Sequence, residues 1–249
     1  MARVVRAGRG HGATHRAVEE RPGAAESEPL TGTQIATIRQ RLLRWGRANF
    51  KQYPWRAERD PWLSLLAEFL LQRTRASQVE AVFLILRERF PTADSLRRAG
   101  LSEVSDLIGR LGLHRRGPLL LRIAETVADR GGSPPETMAE LRSLNGIGMY
   151  TAAAWLSLHR NKRAPIIDAN VARWLSRMTG LPYNRDPRHV RWVKALAERL
   201  TPARAFRMFN YAVLDFTMRI CVPRHPRCDA CPLRNDCLYG GPTRRSHQL

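Results

Sequence analysis

Apolar residues along most of the chain recur at the spacing of one helical face. Ile35, Ile38, Leu42 and Trp45 step by three and four positions in the first such segment. The pattern continues, with interruptions, to about residue 218, and no stretch alternates apolar and polar positions with the β-branched residues of a strand. The pattern predicts an all-α protein of many short helices without a heptad repeat.

Helix start signals divide this pattern into elements. Asp60-Pro61 and Asp186-Pro187 each place a capping residue before a proline of the first turn, and Asp168 is a further capping candidate. The predicted helices cover 62–72, 79–90 capped by Ser77, short segments from Thr92 and from Ser102, 117–130, 135–143, 149–160, 169–179, 188–200 and 202–218.

Residues 1 to about 30 lack this periodicity and are predicted to form a disordered basic tail. Hydrophobic residues make up 43% of the 249 residues, enough for one large core or two lobes that share a cleft. No apolar run reaches the ~18 residues of a membrane span. We therefore expect a cytoplasmic, nucleoid-associated protein without a membrane partner.

The charge points to a polyanionic partner. The formal net charge is +20, from 42 basic and 22 acidic residues, and nucleic acid is the commonest soluble polyanion. An anionic membrane surface is the alternative, but the chain has no amphipathic basic helix or lipidation motif that would support it. Arginine dominates the basic residues, which suits phosphate contacts but is also explained by a GC-rich coding genome.

The stretch from Leu144 to Trp155, LNGIGMYTAAAW, contains two glycines one residue apart before an alanine-rich segment. An ordinary corner between two helices explains these glycines, because glycine ends helices without strain. They would also let backbone N–H groups at the start of the second helix approach a phosphate. The residues alone leave both interpretations open.

Two carboxylates stand out. Glu68 is the lone charge in the apolar run from Leu63 to Leu71, and a buried carboxylate needs a partner or a function. Asp168 lies 18 residues beyond Tyr150. A role as a helix cap is a sufficient explanation of this aspartate. Gln72 and Arg73 follow the apolar run, and the solvent-exposed end of a helix is a sufficient explanation of both.

All four cysteines fall within a short segment, with the spacing C-x6-C-x2-C-x5-C: Cys221, Cys228, Cys231 and Cys237. In a reducing compartment such clustering predicts a metal site and not disulfides. A four-cysteine zinc site is one option, although zinc ribbons usually pair two C-x2-C knuckles and only one is present here.

LNGIGMYTAAA resembles the hairpin of the helix-hairpin-helix DNA glycosylase superfamily, LPGVG followed by a variable pair and T-A, with Asn145 replacing proline and Ile147 replacing valine. The resemblance implies that the hairpin holds a phosphate of double-stranded DNA beside a mismatched or damaged nucleotide, often with a bound monovalent cation. The hairpin residues implied in DNA binding are Asn145, Gly146, Ile147, Gly148 and Thr151.

The segment from Tyr53 to Gln78 matches a second motif of this superfamily, PWR, then about a dozen residues, then E-x-x-L-Q-Q/R-T. The resemblance implies that Glu68 faces the base pocket and that Gln72 and Arg73 fill the hole left in the duplex. It also makes Asp168 the catalytic carboxylate. Members that nick the strand carry a lysine where this chain has Tyr150, so we expect base removal without strand cleavage.

The cysteine spacing matches the [4Fe–4S] loop of the endonuclease III and MutY branch, which implies an iron–sulfur cluster on the four cysteines. The resemblance spans about residues 35 to 240 and implies a monomer of two lobes with the cleft between them. One lobe is a six-helix barrel of residues 60–165 with the helix-hairpin-helix at 139–158. The other, residues 31–59 plus 166–249, carries the cluster loop at 221–237.

The base to be removed is indicated by departures from the MutY type. Asp168-Ala169-Asn170 replaces DGN, Gln72-Arg73-Thr74 replaces QQT, and the sequence stops 12 residues after Cys237. With YPWRAERDPW upstream, the chain resembles glycosylases that act on thymine or uracil opposite guanine. Removal of adenine opposite guanine or 8-oxoguanine is the alternative. A non-catalytic DNA-binding module is a third, against which the joint presence of Glu68, Tyr150 and Asp168 argues.

Overall fold

A computed structural model describes residues 29–183, 186 and 190–241, and this part of the chain is all-α, as the periodicity predicts. The predicted tail lies almost wholly outside the described residues, as does Pro187 of the second cap signal. The described helices are α1 (Gly32–Asn49), α2 (Pro54–Ala57), α3 (Pro61–Leu70), α4 (Ala76–Arg89), α5 (Ala93–Arg97), α6 (Leu101–Gly109), α7 (Gly117–Asp129), α8 (Met138–Ser143), α9 (Met149–His159), α10 (Ala169–Thr179), α11 (Arg191–Leu200) and α12 (Phe206–Arg219).

Local capping chemistry sets several of these boundaries. The side chains of Asp60 and Asp168 accept hydrogen bonds from the backbone N–H groups of Leu63 and Val171, which confirms both as helix caps. Thr92 caps α5 in a reciprocal arrangement with the residue three positions on.

Several predicted starts were wrong. The helix predicted over 135–143 begins at Met138, because the side chain of Thr137 caps it. Ser77 lies inside α4, which begins at Ala76, because the chain turns back into a helix directly after Thr74. Ser102 falls in the first turn of α6, which Gly100 precedes. The last helix begins at Phe206 and not near Pro202, because Ala205 takes a left-handed conformation (φ 57°) that admits the helix only after it.

The helices enclose two main apolar cores. Helices α2 to α9 surround the first, which includes the fully buried Trp62, Phe69 and Trp155. The second joins α1 to α10, α11 and α12. Gly46 allows α1 to approach α12 closely, since a Cβ at this position would lie 2.4 Å from the Cβ of Ala212. The domain boundaries implied by the resemblance stay a prediction.

None of the helices described is both long and apolar enough to cross a lipid bilayer.

A buried ion pair links α2 to α12 across the two cores. The Arg56 guanidinium donates to both carboxylate oxygens of Asp215, at 2.8 and 2.7 Å. The two side chains are only 8% and 9% exposed. The guanidinium carbon also lies 5.0 Å from the ring centre of Phe50 and 4.6 Å from that of Tyr211. This two-point contact fixes the position of α2 relative to α12.

Loss of this pair should destabilise the protein strongly. Asp215→Asn leaves the buried Arg56 charge without a counter-charge, so we expect the free energy of unfolding to fall by about 3–5 kcal/mol. The matched control is Glu103→Gln in the exposed Arg89–Glu103 pair, with an expected loss under ~1 kcal/mol. Urea denaturation measures both, and equal losses would show that the buried pair does not join the cores.

Candidate active site

Residues of α2, α3, α9, α12 and the start of α10 line an open cleft of about 790 Å³. Seven of the residues predicted to act on DNA lie on its walls: Glu68, Gln72, Arg73, Gly148, Tyr150, Thr151 and Asp168. The other three hairpin residues, Asn145, Gly146 and Ile147, lie beside it and do not line it. The structure therefore brings the separated sequence motifs to one place.

Asp168 is both the cap of α10 and a wall of the cleft. Its Oδ1 accepts from the backbone N–H of Val171 at 2.7 Å, and its Oδ2 accepts from the side-chain amide of Asn170 at 2.8 Å. Asn170 in turn accepts from Arg173, which also donates to the carbonyl oxygen of Cys221 at 2.8 Å. The carboxylate is thus held in one orientation by its own helix and is connected to the cysteine segment.

Two tyrosines share the cleft with the carboxylates. Burial, followed by the negative charges of Glu68 and Asp168, raises the pKa of Tyr150 well above its ordinary value of 10. Burial and then the charge of Glu68 raise the pKa of Tyr211 to about 12. Both phenols therefore stay neutral at physiological pH, and the Tyr150 hydroxyl can act as a hydrogen-bond donor.

Glu68 has a buried partner that sequence analysis missed. Its Oε1 lies 2.9 Å from Nε2 of His159, the last residue of α9, and the two side chains are 4% and 1% exposed. The two residues are 91 positions apart. In the sequence, His159 is visible only as an ionisable residue that ends the apolar stretch of α9. This pattern does not identify its partner.

The hairpin between α8 and α9 has two glycines with different roles. Gly146 has φ +95°, in the left-handed region where glycine is favoured. Gly148 precedes α9 with φ −86°, and a Cβ there would meet no atom within 4 Å. Ile147 is buried in the first core and anchors the turn. The left-handed backbone thus explains the glycine at position 146, whereas the space beside Gly148 is open.

The start of α9 offers hydrogen-bond donors beside this space. The first N–H groups of a helix have no acceptor in the preceding turn. Within the described residues, the backbone N–H groups of Met149, Tyr150 and Thr151 donate no hydrogen bond. With the helix dipole, they favour an anion at this end of the cleft.

Gln72 and Arg73 form the turn between α3 and α4 opposite the hairpin. Gln72 donates to the carbonyl oxygen of Gly146 at 2.9 Å and accepts from Arg116 at 2.8 Å. Arg73 is exposed with φ 61°, a conformation that costs a non-glycine residue about 1–2 kcal/mol. Burial and the nearby Arg73 charge lower the pKa of Arg116. This rim of the cleft is therefore cationic.

The four cysteines are free thiols around one apolar cavity, whose other walls include Trp174, Met178 and Phe216. The guanidinium of Arg177 lies 3.6 Å from Sγ of Cys221, and the N–H of Leu233 lies 3.4 Å from Sγ of Cys231. Among the described residues, no three His, Cys, Asp or Glu side chains form a ligand set for a single ion. The metal assignment stays a prediction.

The chain has a helix, a glycine turn and a second helix whose unpaired N–H groups point into a cleft with a cationic rim. This arrangement defines a helix-hairpin-helix protein of the DNA-binding class. Residues 66–201 match the family model described as "HhH-GPD superfamily base excision DNA repair protein". The chain belongs to this superfamily, as the sequence motifs indicate.

Similar proteins cover most of the chain. It is 35% identical to the thymine-DNA glycosylase of Aeropyrum pernix over 83% of this chain and 95% of that protein. It is 32% identical to the thymine/uracil-DNA glycosylase of Methanothermobacter thermautotrophicus over 80% and 90% of the two chains. The solved structure of a thermostable thymine-DNA glycosylase superposes with a TM-score of 0.77 at 32% identity, covering 82% of this chain and 95% of that one.

Bacterial adenine DNA glycosylases are similar as well. Those of Buchnera aphidicola and Mycolicibacterium smegmatis are 30% and 33% identical, over 57% and 66% of their own length.

Proposed function

We propose that this protein is a monofunctional DNA glycosylase that removes thymine or uracil opposite guanine from double-stranded DNA. The observation that carries the proposal is the meeting of Asp168, Tyr150 and Glu68 in one cleft, beside the unpaired N–H groups of the hairpin. The thymine- and uracil-acting relatives support the choice of base, since this chain spans nearly their whole length.

The chemistry follows from the position of Asp168. The target nucleotide rotates out of the duplex into the cleft. As the bond between C1′ of the sugar and N1 of the base breaks, its electron pair leaves with the base and positive charge develops on the sugar. The Asp168 carboxylate stabilises this charge. Water then bonds to C1′ and gives up a proton that neutralises the departed base, leaving an abasic site.

The hairpin would hold the DNA backbone during this step. The space beside Gly148 lets a phosphate oxygen reach the N–H groups of α9 without meeting a side chain. A monovalent cation at the hairpin also fits. The carbonyl oxygens of Leu144 and Gly146 each accept one protein hydrogen bond and keep a second lone pair.

An Asp168→Asn variant tests the catalytic assignment. Asparagine caps a helix as well as aspartate does, but it lacks the charge, so we expect the rate of base excision to fall by roughly 10²–10³-fold with DNA binding retained. The matched control is Asp60→Asn, the cap of α3 outside the cleft, which should keep its activity. Single-turnover excision on duplexes with T·G, U·G, A·G and A opposite 8-oxoguanine provides the measurement.

The substrate panel separates the three functions. Release of thymine and uracil by the wild type supports the proposal, and release of adenine alone would replace it with the adenine alternative. DNA binding without release of any base would make the chain a binding module. Unchanged activity of Asp168→Asn would reject the carboxylate as the catalytic group.

Strand cleavage should be absent. Lys51, Lys162 and Lys194 are the only lysines of the sequence, all three are described, and none lines the cleft. Within the described residues, no lysine amine is therefore placed to form a Schiff base with the sugar. Borohydride should trap no protein–DNA adduct with the wild type, while Tyr150→Lys should yield one as the positive control. A wild-type adduct as abundant as that of the Tyr150→Lys variant would contradict the monofunctional assignment.

We also propose that Cys221, Cys228, Cys231 and Cys237 hold a [4Fe–4S] cluster. Thiolates are the ligands that such clusters use. Four free thiols around one apolar cavity fit this group, and Arg177 lies where it can offset the charge of the Cys221 sulfur. The cluster, when bound, would cross-link the segment after α12 and take no part in base removal.

Metal analysis of the purified protein tests this assignment. We expect about four irons and four sulfides per chain, and absorbance near ~400 nm as iron–sulfur clusters give. Cys231→Ser should lower the iron content and the melting temperature together. One zinc per chain without iron or sulfide would show a zinc site instead.

A further inference from the structure

The buried contact between Glu68 and His159 has no role in the reaction described so far. Glu68 lines the cleft, whereas His159 lies behind it and does not. Because the side chain of His159 is 1% exposed and its Nε2 is 2.9 Å from Oε1 of Glu68, it can influence a bound base only through that carboxylate. His159 is therefore placed to position Glu68 and not to touch DNA.

The other ring nitrogen of His159 indicates which tautomer is present. Its Nδ1 is buried and has no hydrogen-bond partner among the described residues. A protonated ring, or a neutral ring with its hydrogen on Nδ1, would bury an N–H donor without an acceptor, which is costly. A neutral ring with its hydrogen on Nε2 avoids that cost. In this state His159 donates to Oε1 of Glu68.

This donation favours the carboxylate form of Glu68. A hydrogen bond to an ionised carboxylate is shorter and roughly twice as strong as one to a neutral carboxyl group. Glu68 also acts on the neutral phenols of Tyr150 and Tyr211, and it shares the cleft with Asp168. The guanidinium of Arg56 lies against the Tyr211 ring and is already paired with Asp215.

An acceptor at this position discriminates between bases. Enzymes read a flipped base through its Watson–Crick edge, and on thymine and uracil that edge carries the N3–H donor. These bases keep N3–H as they leave, since the electron pair of the broken bond spreads from N1 over O2 and O4. Adenine needs a proton on a ring nitrogen to leave, and a carboxylate held as an acceptor has none to give.

We propose that His159 is a specificity-determining positioning residue. By donating to Oε1, it holds Glu68 as an acceptor whose Oε2 receives the N3–H of thymine or uracil and which cannot protonate adenine. This inference rests on the proposed function and assigns its choice of base to one buried contact.

Two substitutions of His159 test the inference. His159→Leu fills similar space without a donor, and His159→Gln keeps an N–H donor near the position of Nε2. The measurement is the single-turnover rate of excision from T·G, U·G and A·G duplexes at pH 7. Circular dichroism melts confirm that each variant folds.

For His159→Leu we expect thymine and uracil excision at pH 7 to fall about 10- to 100-fold, the loss expected when one hydrogen bond to a charged group is removed. The ratio of adenine to thymine excision should rise about tenfold or more, because Glu68 is no longer held as an acceptor. His159→Gln should restore the wild-type rate and base ratio, and His159→Leu should change neither in a Glu68→Gln background.

The failures are distinguishable. A wild type that releases thymine and uracil, with a His159→Leu variant that folds and keeps the wild-type rate and base ratio, would overturn the role of His159 alone. Failure of His159→Gln to restore them would do the same. A wild type that releases neither pyrimidine would overturn the proposed function and this inference together.

Discussion

The Arg56–Asp215 ion pair helps to set the distance across which the cleft residues of the two cores face each other, together with the direct packing of α9 on α12. Glu68 and Tyr150 come from helices packed on one side, and Asp168 comes from the start of α10 on the other. A buried ion pair adds little net stability compared with apolar residues of the same volume. Its contribution here is geometric, because the planar guanidinium meets both carboxylate oxygens and lies against the ring of Tyr211, itself a wall of the cleft.

Local sequence predicted those parts of the fold that local chemistry determines. The cap at Asp168 and the helix 169–179 could be predicted because the capping bond joins residues three apart. The late start of α12 could not, because Ala205 takes a left-handed conformation that no local preference favours. Arg73 is the same kind of case: its strained backbone is imposed where the turn after α3 meets the hairpin, through Gln72.

The site shows the same division. Glu68, Tyr150 and Asp168 lie far apart in sequence, and only the resemblance to a family, not periodicity or composition, predicted that they would meet. His159 could not be found in that way, because the quoted motifs do not include its position. A buried histidine acquires meaning from its neighbour, and the contact with Glu68 spans 91 positions. Burial of Glu68 was predictable from the apolar run, but its partner was not.

The capping role of Asp168 supports the catalytic role proposed for it. A carboxylate has about four acceptor positions, and capping α10 and binding Asn170 use two of them. The remaining lone pairs and the charge are free to face a sugar in the cleft. Because the two hydrogen bonds fix the carboxylate before a substrate arrives, no reorganisation is needed as positive charge develops, and preorganised charge of this kind is the most effective form of electrostatic catalysis. A carboxylate that caps a helix at the edge of a cleft thus already has the fixed orientation that a catalytic carboxylate needs.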